Sequence, residues 1–179
     1  LPDDIEVLWH QPVSNDFHAK YGAKLRKYTY LIYHATNKNI FWQDRALMVN
    51  DVLDLEEMQL AADQLIGEHD FTSFRASGCQ SMTPVKHIHS IQIKNKLPWI
   101  KIEFKANAFL YHMIRIIVAA LILVATGKKT KNWLNSALKA HNRAIIPFMV
   151  PAHGLYFQGA EYSQKYEIPQ NLIIMDGVL

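Results

Sequence analysis

The chain has 179 residues, half of them hydrophobic and a fifth charged, with a formal net charge of +3 and a pI near 8.9. That is ordinary globular composition, enough chain to bury a sizeable core, and a mildly basic balance that permits nucleic-acid binding without demanding it. The single cysteine, Cys79, excludes an internal disulfide and fits a reducing, cytoplasmic compartment.

The opening Leu1-Pro2-Asp3-Asp4 is acidic with no apolar run behind it, so no secretory leader is read there. The absence of an initiator methionine raises the expectation that the chain begins inside a longer polypeptide. Ile5–Pro12 alternates apolar and polar residues and is predicted as a strand or extended entry segment. Ser14-Asn15-Asp16 reads as a turn. The stretch from Phe17 to Lys27 then interleaves Phe17 and Tyr21 with Lys20, Lys24, Arg26 and Lys27. Rings that stack on bases beside cations that meet phosphates form an RNA-binding texture, although a solvated loop leading into a strand has the same composition.

Lys27–His34 is rich in aromatic and β-branched residues and predicts a strand, with Tyr28, Tyr30 and Ile32 on one face and Thr29, Leu31 and Tyr33 on the other. Ala35–Asn39 is a polar loop, and Ile40–Val52 has no clear period. Asp54-Leu55-Glu56-Glu57 has the form of a capping box, opening a helix to about Ile66 that Gly67 ends. Glu68–Met82 reads as a loop. His87–Lys94 and Trp99–Lys105 both alternate, joined as a hairpin through Asn95–Pro98. A helix capped by Thr130 is expected to about Ala140, a strand over Leu155–Tyr162, and an irregular tail over Gln164–Leu179. Hairpins and separated helices point to one α+β domain over residues 1–179, with helices packed on one face of a mixed or antiparallel sheet.

Between the hairpin and the Thr130 helix lies Lys105–Thr126, KANAFLYHMIRIIVAALILVAT, read as a polar turn followed by one apolar helix. The uninterrupted apolar part after Arg115, Ile116–Ala125, is far short of the roughly 20 residues that span a bilayer. An all-round apolar helix is therefore a core helix, and the chain is not expected to bind a membrane. Arg115 is the one permanent charge inside it. A guanidinium keeps its proton, so it must reach water along its stem or find an anion.

No glycine-rich phosphate loop, paired-cysteine motif or nucleophile elbow is present. His87 and His89 share a strand face but lack a third ligand, so no metal is expected. His112 reads as a satisfied core or interface histidine, and Cys79 as an inert thiol, since no helix start or signature adjoins it. Leu155-Tyr156-Phe157-Gln158-Gly159 mimics a protease tag site but lacks the usual Glu-Asn prefix, and reads as native sequence.

The set KYTYLIY, GEHDFTSFRASGCQS, TPVKHI, KANAFLYHMIRIIVAAL and GLYFQGAEY resembles the tRNA pseudouridine synthase A family, collinearly from Leu1 to about Pro169. The resemblance implies an isomerase acting without metal or organic cofactor. Its substrates would be uridines of the tRNA anticodon stem-loop, at tRNA positions 38, 39 and 40, and its full-length form a homodimer. It implies that Tyr28 stacks on the extruded target base near the proton leaving carbon 5, and that Arg115 pairs with a catalytic aspartate. Phe17, His18, Ala19, Lys20 and Tyr21, and Gly78, Cys79, Gln80, Ser81 and Met82, match family segments that touch tRNA. Arg26, Lys27 and Arg75 are phosphate candidates from their charge alone.

One family feature is missing. None of the nine aspartates has the Arg-Thr/Ser-Asp-x-Gly context of the nucleophile, and Asp70 reads as structural. The expectation is a C-terminal part lacking the half that holds the aspartate, and inactive alone. Two other readings stand beside it: a non-catalytic RNA-binding or chaperone module, and a dimerisation domain.

Overall fold

The computed structural model describes residues 1–3, 5–37 and 39–169. Asp4, Lys38 and the part of the expected tail from Gln170 onward, Asp176 included, lie outside the described residues. Six strands form one mixed sheet: β1 Leu25–His34, β2 Leu47–Val49, β3 Gly67–Asp70, β4 Val85–Lys96, β5 Trp99–Ala106 and β6 Leu155–Glu161. Three helices accompany it: α1 Leu55–Asp63, α2 Met113–Ala125 and α3 Lys131–Lys139.

The sheet order is β2-β1-β5-β4-β3. β5 takes one edge of β1 along its length, antiparallel. The other edge is shared: β6 pairs antiparallel with Leu25–Tyr30, and β2 pairs parallel with Ile32–His34. The period-two pattern sets which face is covered. Tyr30 and Ile32 of β1, Ile91 of β4, and Ile100, Ile102, Phe104 and Ala106 of β5 point to one side and are sealed in a core with α1, α2 and α3. Burying that apolar face is the main force holding helices to sheet. α2 is apolar around nearly its whole circumference because the core encloses it.

On the opposite face Leu31 is nonetheless buried, at 1% exposure. The backbone of Gly154 lies against it, with the Leu31 N–H donating to the Gly154 carbonyl at 2.8 Å. Nearby on β1 and β5, Tyr33 and Trp99 meet edge-on at 4.9 Å, and Trp42 covers Trp99 at 4.6 Å. The segment without a clear period, Ile40–Val52, thus supplies both this lid and β2.

Several local expectations are corrected. Ile5–Pro12 forms no strand: Ile5, Val7 and Leu8 are exposed, and no sheet edge receives their amides. Asp54 does cap α1, accepting from the Glu57 N–H at 3.0 Å, but Glu57 does not close a capping box. Its carboxylate is drawn instead to Lys131 on α3, at 3.0 Å, while the Asp54 N–H donates to Ala125 at the end of α2. The expected loop after Gly67 begins with β3, because four residues find an open edge on β4.

The turn over Thr72–Phe74 is locked by one hydroxyl. Ser73 Oγ donates to the Ala137 carbonyl at 2.5 Å and accepts from the Asn142 N–H at 2.9 Å, fully buried. Ser73→Ala leaves two buried polar groups without partners, and is expected to destabilise the chain by about 2–4 kcal/mol in chemical denaturation. A loss below about 0.5 kcal/mol would mean that water takes over both bonds.

Candidate active site

α2 begins later than its apolar run. His112 is the N-cap and stands in the left-handed region, φ 58°, which stops helical geometry from extending back to Phe109. The helix therefore covers less than the apolar run predicts, because periodicity does not register one reversed dihedral. The consequence falls on Arg115, which sits in the first helical turn. There the unpaired N–H groups and the macrodipole already make the field positive, so a cation at this point is opposed by its own helix.

Arg115 is half-buried, and its Nε donates to the Val150 carbonyl at 2.8 Å. The Val150 N–H returns a bond to the Arg115 carbonyl at 3.2 Å. Among the described residues no carboxylate lies within ion-pair distance of this guanidinium. The Nε bond fixes the plane of the fork, and neither terminal nitrogen is bonded among the described residues, the arrangement that can hold a carboxylate through two parallel bonds.

Tyr28 and Tyr30 share the helix-side face of β1 but differ in surroundings. Tyr30 is fully buried, and its hydroxyl donates toward the Pro151 and His153 carbonyls at 2.9 and 3.3 Å. Burial pushes its hydroxyl pKa well up, against a smaller opposing effect of the Arg115 charge. Tyr30 is therefore a structural post, gripping the segment next to the carbonyl that Arg115 holds. Tyr28, one step along the face, is half-buried and walled by Phe109 edge-on at 5.4 Å and by Phe157 of β6 at 5.2 Å. Burial raises its pKa, with Arg26 opposing, so at neutral pH it is an uncharged phenol. The arrangement offers an aromatic wall beside a preoriented guanidinium.

The segment 75–82 is tied to the start of α2. Arg75 Nη2 donates to the carbonyls of Cys79 and Ser81 at 3.0 and 2.7 Å. Cys79 Sγ accepts from the Tyr111 N–H at 3.3 Å, and the Ala76 N–H donates to the Tyr111 carbonyl at 3.2 Å. A helix start therefore does adjoin Cys79, correcting the sequence reading. Burial raises the thiol pKa, but the Tyr111 and Ser81 N–H groups and Arg75 outweigh it and leave the thiol below its ordinary range. Gly78 turns the segment at φ 76°, and Met82 is wholly exposed. Gln80 is exposed and Ser81 partly so.

The remaining candidates are placed as follows. Phe17 is packed against Tyr162 and Tyr166 at 5.1 and 5.0 Å, so its ring is occupied within the chain. Tyr21, 76% exposed, is the open ring of that segment, with His18 at 4.5 Å and Lys20 above it. Ala19 is exposed, and its carbonyl accepts from the Tyr162 hydroxyl at 2.9 Å. Arg26 donates to the carbonyls of Lys20, Ala23 and Asn107, stitching this segment to the turn before α2. Lys27 pairs with Glu161 at 2.5 Å. His87 and His89 have rings 4.6 Å apart, and no group of three metal-binding side chains occurs among the described residues. Phe109, Tyr111 and Phe157 were not foreseen as site residues. The strand carrying Phe157 is marked by its pattern, but its pairing with Tyr28 is not, and the turn that presents Phe109 and Tyr111 is hidden in the apolar run.

A mixed sheet with helices on one face, carrying a walled tyrosine and a helix-start arginine, defines an α+β domain with a site suited to an aromatic ring and an anion. The sequence comparisons agree in kind. The family model described as tRNA pseudouridine synthase matches residues 61–163. Relatives named tRNA pseudouridine synthase A include one from Shewanella amazonensis, 38% identical over 95% of this chain and 65% of its own length. Another from Coxiella burnetii is 41% identical over 95% and 65%, and one from Dechloromonas aromatica is 36% identical over 100% and 69%. The chain belongs to the tRNA pseudouridine synthase family. It spans about 65% of the length of the first two of these relatives.

Proposed function

We propose that this chain is the C-terminal portion of an enzyme that isomerises uridine to pseudouridine in the anticodon stem-loop of tRNA, at positions 38, 39 and 40. In this reading the chain supplies tRNA contacts, a stacking wall and the cationic partner of an aspartate carried by another segment. The observation behind it is Arg115: a guanidinium in the positive first turn of α2, preoriented by Val150, with no acid paired to it among the described residues.

The chemistry follows from the parts. The target uridine is turned out of its stack at a cost of a few kcal/mol, which an aromatic pocket offsets. Tyr28, held upright by Phe109 and Phe157, gives the base a π face. Arg115 holds the carboxylate in one orientation and keeps it ionised, as a nucleophile must be. The glycosidic bond breaks, the uracil rotates, and its carbon 5 bonds to the sugar carbon. The proton on carbon 5 is lost and the former glycosidic nitrogen gains one, so no cofactor is required. In this reading the Tyr28 hydroxyl assists that proton's transfer, directly or through water.

Exposed apolar side chains also suit the packing of a further segment. Ile5, Val7 and Leu8 at the start, Phe148 and Met149 beside the Arg115 contact, and Phe157 on β6 all meet solvent. A second copy of the chain, giving the homodimer of the resemblance, is the alternative partner for some of these side chains. The test is tritium release from tRNA labelled at carbon 5 of uridine. The 179-residue chain alone is expected to give none, and addition of the N-terminal segment of a relative is expected to restore it. Turnover by the chain alone would overturn the division of labour proposed here.

A further inference from the structure

We infer that the stacked pair Tyr111–His112 is a platform for one unpaired RNA base, next to the Arg115 site. This rests on the RNA-acting reading above and adds a subsite to it. The two rings lie 3.7 Å apart between centroids and within 26° of parallel. His112 covers one face of Tyr111, and Tyr111 as a whole is 52% exposed.

A tyrosine resting on a neighbouring histidine is common on surfaces, but three features separate this one. First, the backbone of Tyr111 is held at both polar atoms, by Cys79 Sγ and by the Ala76 N–H. His112 is fixed in the left-handed region by the start of α2. The ring pair is thus preorganised, and little side-chain freedom remains to be lost when a base arrives. Second, the environment of His112 disfavours the charged imidazolium. Burial, and then the Arg115 charge, hold the His112 imidazole below its ordinary range.

Third, two cations stand beside the pair. Arg75 braces the segment that pins Tyr111, and Arg115 stands one turn along α2. A stacking surface beside cations is the arrangement that binds single-stranded nucleic acid, whatever the base, because every base has a π face. The same turn carries Phe109 against Tyr28. One short connection, residues 107–112, would then serve two bases: the target at Tyr28 and a neighbour at Tyr111.

The test uses the 179-residue chain and an RNA hairpin of anticodon stem-loop form, with 2-aminopurine placed at each loop position in turn. Binding of the wild-type chain is expected to quench the probe at a position adjacent to the target uridine. Tyr111→Ala is expected to abolish that quench and weaken binding about tenfold, while Tyr111→Phe keeps both. The slope of affinity against salt should not change, since no phosphate contact is removed. A Tyr111→Ala chain that melts like wild type, with quench and affinity unaltered, overturns the platform and leaves the proposed function standing. A wild-type chain that does not bind the hairpin at all overturns the RNA-acting reading, and the platform with it.

Discussion

Arg115→Met is expected to separate activity from stability. With the aspartate segment present, pseudouridine formation should fall by about 100-fold or more, the usual scale for removing one preoriented electrostatic partner of a reacting group. In the 179-residue chain alone, unfolding free energy should stay within about 1 kcal/mol of wild type. Two small effects oppose each other. The substitution removes one N–H bond to Val150, worth about 1 kcal/mol. It also removes a cation from the positive end of α2, worth about 0.3–1 kcal/mol in the other direction. The backbone bond from Val150 back to Arg115 survives, and the methionine stem fills much of the same space. Arg115→Lys keeps the charge without the fork and should restore only part of the activity. Tritium release and urea melts measure the two halves. A Met variant losing more than about 3 kcal/mol would make Arg115 a structural strut, and the anion-holding reading would fail.

What the sequence made legible follows from the length of each signal. β1, the β4–β5 hairpin, α3 and β6 are long enough for period and composition to mark them, and each ends within a few residues of expectation. The α+β class follows from their order. β2 and β3 escaped because three- and four-residue strands have no period of their own; they exist because β1 and β4 offer open edges. Ile5–Pro12 failed in the opposite sense, with a strand pattern but no edge to receive it. Glu57 failed as a capping residue because Lys131, distant in sequence, competes for its carboxylate.

The candidate site divides the same way. Tyr28 and Arg115 were reachable through a family resemblance, and Arg115 also through its oddity as a lone charge in an apolar run. Position sharpened that oddity, since the reversed dihedral at His112 moves the arginine into the first turn, where its helix opposes it. The cations singled out from charge alone fare differently. Arg26, Lys27 and Arg75 all have protein partners, so charge count could not distinguish a phosphate contact from a brace between segments. Tyr111 is legible only once the Cys79 and Ala76 contacts are seen.

Gly154→Ala is expected to be the most damaging small substitution for the fold. Gly154 stands at φ +97°, where a side chain is strained, at a cost of about 1–3 kcal/mol. Space compounds the strain. A Cβ there would lie 2.9 Å from the Leu31 carbonyl oxygen and 3.3 Å from the Leu47 nitrogen, both backbone atoms that cannot swing aside. The Leu31 N–H bond to the Gly154 carbonyl ties β1 to the entry of β6 at this same point, so relief of the clash breaks that bond. A total loss of about 3–5 kcal/mol follows, or roughly 6–20 °C in melting temperature for a chain of this size. Gly159→Ala is the control: φ is +149°, but nothing lies within 4 Å of the added carbon, so only the strain component applies. The functional consequence is directional. Displacing β6 withdraws Phe157 from Tyr28 and loosens the 150–153 segment that Arg115 and Tyr30 grip. Tyr28 should then lose protection in fluorescence quenching by iodide before β4 and β5 lose amide protection in hydrogen exchange. Simultaneous loss of both would show that the sheet melts as one unit, and that β6 is no separate support for the aromatic wall.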